Sequence, residues 1–597
     1  MSDIAFVNYQ SLPKSWRVIC DNHKHQLGVL DGCGQFEIQV LERDHIIIAV
    51  LSHTTNPEEL FNDIIKYKSG FMSHIGHVSG IVWNTYTDEF CIFRDPFGFV
   101  PWMLTYYGSG CMEFSAVTSP EYQAELTRGR GVRRNWLARY LLEEHSMSDD
   151  DIYENTGRLL PGEYLSHVIG SFDEFVSRLT EGTGGYAKEP DEKRICQIRH
   201  CVWHDKKYHV IDADQAELAV ALREKIAKAV SRIPEHNPCF TLSGGLDSTA
   251  ILSTWCAANA GRYDAVSLVS RRHRSCDESH ELDVLEAALP VSLTRVCMDD
   301  FWALKEPELY GKFSVYGPLV APGIESLLGA YRAVEKVSGP RLMVTGYGGN
   351  FIVQARKEAI FRDLWARRDL RGIAHEIKAL DKTSVRYLVL RFLANSADGD
   401  IRRLVRCLRP NRRQHPNRAS EWLNALFAAQ FSDICVDPVF GMSHTQERAL
   451  SPLLWNWELR TRCMDMLARL CPHRFYDPLF DTELYDFCAC IPPQYFLNCG
   501  EYRPIYKEAL KPLLPDEIVH HPKCQSFDML IHDGLSKYAR PLIEDVIRRG
   551  YWGEVLDKNG LLKAYEQYCL DAAEDEPGYE MTPLWRSISL LLWAHFS

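Results

Sequence analysis

The stretch FTLSGGLDSTAIL, Phe240–Leu252, runs from a short apolar segment through two glycines flanked by serines into a helix-like apolar pattern. Read as strand, tight loop and helix, it leaves the amides of the helix's first turn without intrahelical partners. Such an end suits an anion, because those N–H groups and the helix dipole both favour negative charge. Gly244 and Gly245 allow close backbone approach to a ligand, and Ser243 and Ser248 add hydroxyl donors. The lysine of a G-x-x-x-x-G-K-[ST] loop is missing, so a γ-phosphate is not expected to be held for transfer. Asp247 supplies instead a carboxylate able to hold Mg2+ against pyrophosphate oxygens. That combination favours adenylation with loss of pyrophosphate. The competing reading is a plain tight turn of an α/β protein.

The flanking text supports a strand–helix alternation. CFTL precedes the loop; YDAVSLVS and VSLTRVCMD read as further strands, with helices at ESHELDVLEAAL and PGIESLLGAYRAVEKV. RLMVTGYGGN is a strand ending in a second glycine loop, Thr345–Asn350. This order predicts a doubly wound parallel sheet. A periodic helix over Asp212–Ile233 precedes it, with Asp212 or Asp214 as cap. Residues before about 165 read as β-rich, in short apolar runs such as HIIIAVL and EFCIFRD, followed by a helix at Asn135–His145. Residues 1–170 are therefore expected as one domain, 171–211 as a polar linker and 212–597 as a second domain with a helical insert at about 351–449.

With 46% hydrophobic and 25% charged residues over 597 positions, the composition is that of a soluble globular protein. A net charge of −13 argues against general nucleic-acid binding. No apolar run approaches the roughly 20 residues of a spanning helix, and MSDIAFVNYQ lacks the features of a secretory leader. A cytoplasmic protein with reduced thiols is expected, without membrane or nucleic-acid partners. Cys196, His200, Cys201 and His204 have spacings that a zinc site uses, but incidental residues are the plainer reading. The Arg-rich run Arg402–Arg418 reads as a solvated helix and turn or as a docking surface for a peptide.

SGGLDS resembles the pyrophosphate loop of the N-type ATP pyrophosphatases, and its neighbours resemble the asparagine synthetase branch. TGYGGN resembles that branch's second loop, RFYDPLFDTELYDFCACIP (Arg474–Pro492) its R-x-P-[FL]-[LF]-D-x-x-L stretch, and YRPIYKEALKPLLPDEIVHHPK (Tyr502–Lys523) its lysine-bearing segment. GIVWNTYTDEFCIFRDPFGFVPW and GRLLPGEYL look like core strands of its glutaminase domain. The resemblance implies an α+β N-terminal sandwich of the Ntn-hydrolase type, a degenerate glutaminase. It also implies an α/β C-terminal domain of the adenine-nucleotide α-hydrolase type, a parallel sheet with helical additions. ATP and Mg2+ are the implied cofactors. Leu242, Ser243, Gly244, Gly245, Leu246, Asp247, Ser248, Leu268, Thr345 and Gly346 are implied to bind ATP, and Asp247 and Asn350 the metal.

Several positions depart from asparagine synthetase. The family's glutaminase has a cysteine directly after the initiator Met, activated by its own α-amine; here Met1–Ser2–Asp3 begins the chain, and Cys20 and Cys33 are internal. No glutaminase activity is therefore expected. Tyr347 stands where asparagine synthetases have Glu, a feature shared with β-lactam synthetases and lasso peptide cyclases, which use an amine already in the substrate. A base for Tyr347 is sought among His375, Glu376 and Asp381, with Glu376 the named candidate. Asn350 replaces the usual metal-holding Asp, and Arg503 stands where the family has a charge-stabilising Lys, unless Lys507 takes that role. The leading expectation is a lasso peptide cyclase, partnered by a precursor peptide and a leader peptidase or maturation protein. A β-lactam-synthetase-like ligase, an ammonia-dependent asparagine synthetase relative and a non-catalytic nucleotide-binding scaffold are the alternatives.

Overall fold

The computed structural model describes residues 3–596 except 9–11, 22–24, 31–35, 44, 53–56, 74–76, 108–112, 143–150, 170, 181–194, 275, 320–321, 354–359, 362–363, 366–367, 379–418, 432–443, 455–456, 499–500, 522–527 and 572–580. The N-terminal part is a sandwich of two six-stranded sheets. One sheet runs Thr156–Arg158, Met103–Tyr107, Glu113–Val117, Asp3–Asn8, His25–Leu30, Arg17–Asp21. The other runs Ile195–Cys201, Glu163–Ile169, Glu89–Phe93, Val78–Asn84, Ile46–Ser52, Glu37–Arg43. All pairings are antiparallel. Ile46–Ser52, Val78–Asn84 and Glu89–Phe93 are buried throughout, because one face fills the sandwich and the other is covered by helices such as Pro57–Tyr67.

The segment 171–211, expected as a linker, is instead partly built into this domain. Phe172, Phe175, Val176 and Leu179 recur at helical spacing and are buried on the helix Phe172–Thr180. Ile195–Cys201 pairs over its whole length with Glu163–Ile169 as an edge strand. The polar composition of the stretch between these elements masked both of them. The helix expected over Asn135–His145 runs Arg134–Leu141. It lends Leu137, Ala138, Tyr140 and Leu141 to the C-terminal core and is capped by Leu142, whose amide bonds the Ala138 carbonyl.

In the C-terminal part the strands expected from the alternation form a five-stranded parallel sheet. Its order is Val291–Cys297, Tyr263–Val269, Cys239–Thr241, Leu342–Val344, Arg474–Tyr476. The last strand is contributed by RFY, which sequence patterning left unassigned. Asp214 caps the helix Gln215–Ser231 through a 2.8 Å bond from the Glu217 amide to Oδ1. The described pieces of the expected insert are short helices, including Leu370–Lys378, Ala425–Gln430 and His444–Leu454. The run Arg402–Arg418 lies outside the described residues. No helix among the described residues is long and apolar enough to cross a membrane.

The two parts share one continuous apolar core. Arg469, on the helix Trp457–Leu470, bonds Asp3 at 3.4 Å and Glu121 at 2.6 Å across the junction, and Asp465 at 2.9 Å on its own helix. Burial pushes the Asp3 carboxyl up to about 6 against the pull of Arg469.

Glu325, on the helix Ile324–Ser338, is buried and accepts the Leu304 amide at 2.7 Å. Burial pushes this carboxyl up to about 7. Its folded value thus lies above its unfolded one, so the native state holds the extra proton between roughly pH 4.5 and 7, and stability falls as pH rises through that window. Relative to Glu325→Gln, whose amide oxygen can still accept from Leu304, the wild type should lose about 3 kcal/mol from acid to neutral pH. Denaturant midpoints measured against pH for both proteins check this.

Candidate functional site

The strands Cys239–Thr241 and Leu342–Val344 are hydrogen-bonded neighbours, so both glycine loops leave the sheet at the same edge. Open α/β sheets bind ligands at the carboxyl ends of their strands. The first loop passes into the helix Leu246–Ala258, in which Thr249 to Trp255 are all buried. That helix is enclosed on all sides, which explains its continuous apolar sequence.

The loop is organised by its own hydroxyls. Ser248 Oγ accepts the Ser243 amide at 3.0 Å and lies 2.9 Å from Ser243 Oγ, which accepts the Gly245 amide at 3.2 Å. Gly244 donates its amide to Glu278 Oε2 at 3.0 Å, and burial raises the pKa of that carboxyl. A Cβ on Gly244 would lie 2.7 Å from the Glu281 Cβ, so glycine is required there by packing. Leu242 is buried and donates its amide to Val266 on the adjacent strand at 2.9 Å. Leu268, near the end of that strand, packs partly buried against the C-terminal core.

The second loop lies directly on the first. A Cβ at Gly346 would sit 2.4 Å from the Ser248 nitrogen, and one at Gly349 would sit 2.1 Å from the Asp247 carboxyl carbon. Thr345 donates its hydroxyl to Asp477, accepts the Tyr347 amide at 3.1 Å, and donates its own amide to the Tyr476 carbonyl at 3.0 Å. The Tyr347 ring packs against Phe351 at 5.7 Å and Phe480 at 5.8 Å.

Arg503 closes the site. One guanidinium nitrogen donates to Asp247 Oδ1 at 2.6 Å and another to Asn350 Oδ1 at 2.8 Å. Its backbone is left-handed, φ 55°, at the cap of the helix Pro504–Leu510. That conformation costs a bulky residue about 1–2 kcal/mol, a strain of the kind that gathers at functional sites. Lys507 faces Glu501 at 3.1 Å. Of the two cations considered from sequence, Arg503 is the one seated on the loops. Glu376 is buried on the helix Leu370–Lys378 while its neighbour His375 is exposed, and Asp381 lies outside the described residues.

Asp247 and Asn350, the expected metal ligands, thus converge on one guanidinium. Asp247 Oδ2 remains without a partner among the described residues, so Asp247 suits one Mg2+ carried in on a nucleotide. Asn350 is neutral and its carbonyl is already engaged, so a site bridged by two carboxylates is not built here. Sequence reasoning did not foresee the Arg503 bridge, nor Glu278 and Asp477 as loop partners. Asp477 lay inside the quoted RFYDPLFD motif and was the one legible signal. His200 pairs with Asp205 at 2.7 Å while Cys201 is buried, its thiol 3.5 Å from the Pro161 carbonyl. Adjacent strand residues point to opposite faces, which separates that candidate pair. The Cys196 side chain lies outside the described residues.

A family model described as Asparagine synthase matches residues 221–595, nearly two thirds of the chain, including both glycine loops, Asp477 and Arg503. The chain belongs to the asparagine synthase family. A search of curated proteins gave no match. The chemistry of the asparagine synthase family is ATP-dependent amidation or ligation. The C-terminal parallel sheet is the adenine-nucleotide α-hydrolase-like domain that membership implies. In such a domain Gly346→Ala, whose new methyl group would strike the Ser248 amide, should weaken nucleotide binding at least about tenfold. Calorimetric titration with a non-hydrolysable ATP analogue, beside an unchanged melting curve for folding, measures it.

Proposed function

We propose that this asparagine synthase family member is an AMP-forming lasso peptide cyclase without glutaminase activity. A carboxylate oxygen of an Asp or Glu side chain on a processed precursor peptide attacks the α-phosphorus of ATP. Pyrophosphate leaves, and an acyl-adenylate forms. The peptide's N-terminal amine then attacks the acyl carbon, AMP leaves with the bonding electrons, and the amine's proton passes to a base. The net change in the peptide is loss of one water.

The observation that carries the reading is Tyr347, a phenol held on the loop that touches Asp247 and Ser248 through Gly349 and Gly346. Where a glutamine-dependent synthetase has Glu, a phenol oriented by a base can relay the proton of an attacking amine. In this reading Ser243, Ser248 and the first-turn amides of Leu246–Ala258 take the leaving pyrophosphate, supported by their position at a helix N-terminus. In this reading Arg503, an obligate cation in a fork beside Asp247, stabilises the α-phosphate or the developing oxyanion. The chemistry that Mg2+ supplies when bound, with Asp247 as its ligand, is neutralisation of phosphate charge. Holding amine and adenylate together is mainly proximity catalysis.

Support for the absence of glutaminase chemistry comes from Cys20, while Cys33 lies outside the described residues. Burial raises the Cys20 pKa, the opposite of what an activated nucleophile needs. A precursor peptide as substrate, a leader peptidase as partner and a cytoplasmic setting complete the proposal.

The decisive assay incubates the protein with ATP, Mg2+, a precursor peptide and its leader peptidase, and looks for a product one water lighter. Asp247→Ala should abolish pyrophosphate release. Tyr347→Phe should leave adenylate formation intact and slow ring closure by roughly a hundredfold. Turnover of free aspartate with ammonia, or of a small β-amino acid, in place of a peptide would point to the other ligases of this family. A second expectation concerns Asn350→Asp, which restores a second carboxylate. The Mg2+ concentration giving half-maximal activity should fall several-fold in this variant, read from a Mg2+ titration at fixed ATP.

A further inference from the structure

The N-terminal sandwich reaches the second glycine loop through the Phe480 side chain. Phe480 belongs to the turn that follows the strand Arg474–Tyr476 and is buried. On one side its ring packs against Tyr347 at 5.8 Å, and a Cβ on Gly348 would meet it at 3.2 Å. On the other side stand Phe97 and Phe99 of the N-terminal domain, both at 5.4 Å. His77 of the same domain donates Nε2–H to the Phe480 carbonyl at 2.5 Å, and burial lowers its pKa. Its ring also lies 4.3 Å from Phe99 and 5.3 Å from Tyr476.

The turn that presents Phe97 and Phe99 is held rigidly from within. Asp95, fully buried, accepts the amides of Phe97 and Phe99 on Oδ1 at 3.1 and 3.0 Å. Its Oδ2 accepts the Val100 amide at 3.2 Å and the Ser79 hydroxyl at 2.9 Å. Arg94 ties the same turn to the Leu159 and Gly98 carbonyls at 2.6 and 2.7 Å. A buried carboxylate with this many donors specifies one conformation, because each lost bond would leave an unsatisfied group.

We infer that this Asp95-centred turn of the N-terminal domain is a positioning element for the second glycine loop of the synthetase domain. It acts through Phe480, which packs on Tyr347 and Gly348 of the loop whose Gly349 lies against Asp247. The N-terminal domain then serves the synthetase reaction mechanically, whether or not it handles an amine. The inference rests on the proposed function only for its catalytic consequence, since the placement of the loop is measurable without substrate.

Amide hydrogen exchange followed by mass spectrometry on the full-length chain tests it. Phe97→Leu and Phe99→Leu remove ring contacts with Phe480 while keeping apolar volume. Each should raise exchange in peptides covering 345–352 about tenfold and leave those covering the core helix 246–258 unchanged. Phe114→Leu, a buried substitution inside the sandwich away from Phe480, should destabilise to a similar degree and leave 345–352 unchanged. Unchanged exchange at 345–352 in both interface variants, or an equal rise in Phe114→Leu, overturns the inference. In the cyclisation assay, Phe97→Leu should lower kcat with the KM for ATP unchanged, and add nothing further to Tyr347→Phe. If Tyr347→Phe alone leaves cyclisation intact while 345–352 exchange rises as expected, the catalytic reading of Tyr347 fails and the positioning inference stands.

Discussion

Between the Ser248 amide and the α-carbon of Gly346 there is no space for a side chain, since a Cβ would lie 2.4 Å from that nitrogen. This contact follows from the parallel pairing of Cys239–Thr241 with Leu342–Val344, which brings two loops distant in sequence to one sheet edge. Once they touch, each loop's conformation constrains the other. Asp247 must lie over Gly349, because only glycine leaves room for its carboxylate. Thr345 donates its buried hydroxyl to Asp477 on the far side. Ligand-binding geometry in this domain is therefore a property of the loop pair and not of either glycine motif alone.

Charge is the second constraint. Replacing a carboxylate by Asn350 removes one negative group, and placing Arg503 on both Asp247 and Asn350 supplies a permanent positive one between them. The two departures from the family pattern thus act together: a guanidinium fork spans the gap that a lysine point charge would leave open. Its left-handed backbone fits this arrangement, and Pro504 just inside the following helix has the fixed φ that such a start accepts. Removing Arg503 would leave the half-buried Asp247 without its partner, a loss that a neutral substitute could not offset.

What was legible in the sequence divides along physical lines. Four strands of the parallel sheet were readable because each is a short apolar run bounded by turn residues, whereas Arg474–Tyr476, three residues with a charged first position, carries no such run. The loop at Ser243–Ser248 was readable as a strand-to-helix turn because its two glycines and flanking serines interrupt the apolar pattern. The segment 171–211 was misread since local composition reports solvent exposure on average, whereas Phe172, Phe175, Val176 and Leu179 form a buried stripe beside a polar excursion. The Arg503 bridge was illegible for a different reason. It joins positions 247, 350 and 503, and only tertiary packing decides that a cation so far along the chain faces that carboxylate. Glu278 on the Gly244 amide is the same kind of contact.

The proposed function draws no ammonia from glutamine, so it gives the full antiparallel sandwich no glutaminase role. A shared apolar core and the Arg469 cluster account for cohesion, since they bury surface that would otherwise face water. Cohesion alone, however, would be served by any apolar face. The Asp95 turn is more specific than that, with its carboxylate accepting four donors so that two phenylalanines meet one buried ring of the synthetase domain. Close-packed interiors transmit small displacements because they have no voids to absorb them. A shift at Phe97 must therefore be taken up by Phe480, and from there by Gly348, whose φ of 104° leaves a side chain no relaxed alternative. The loop that carries Tyr347 is in this sense built by both domains.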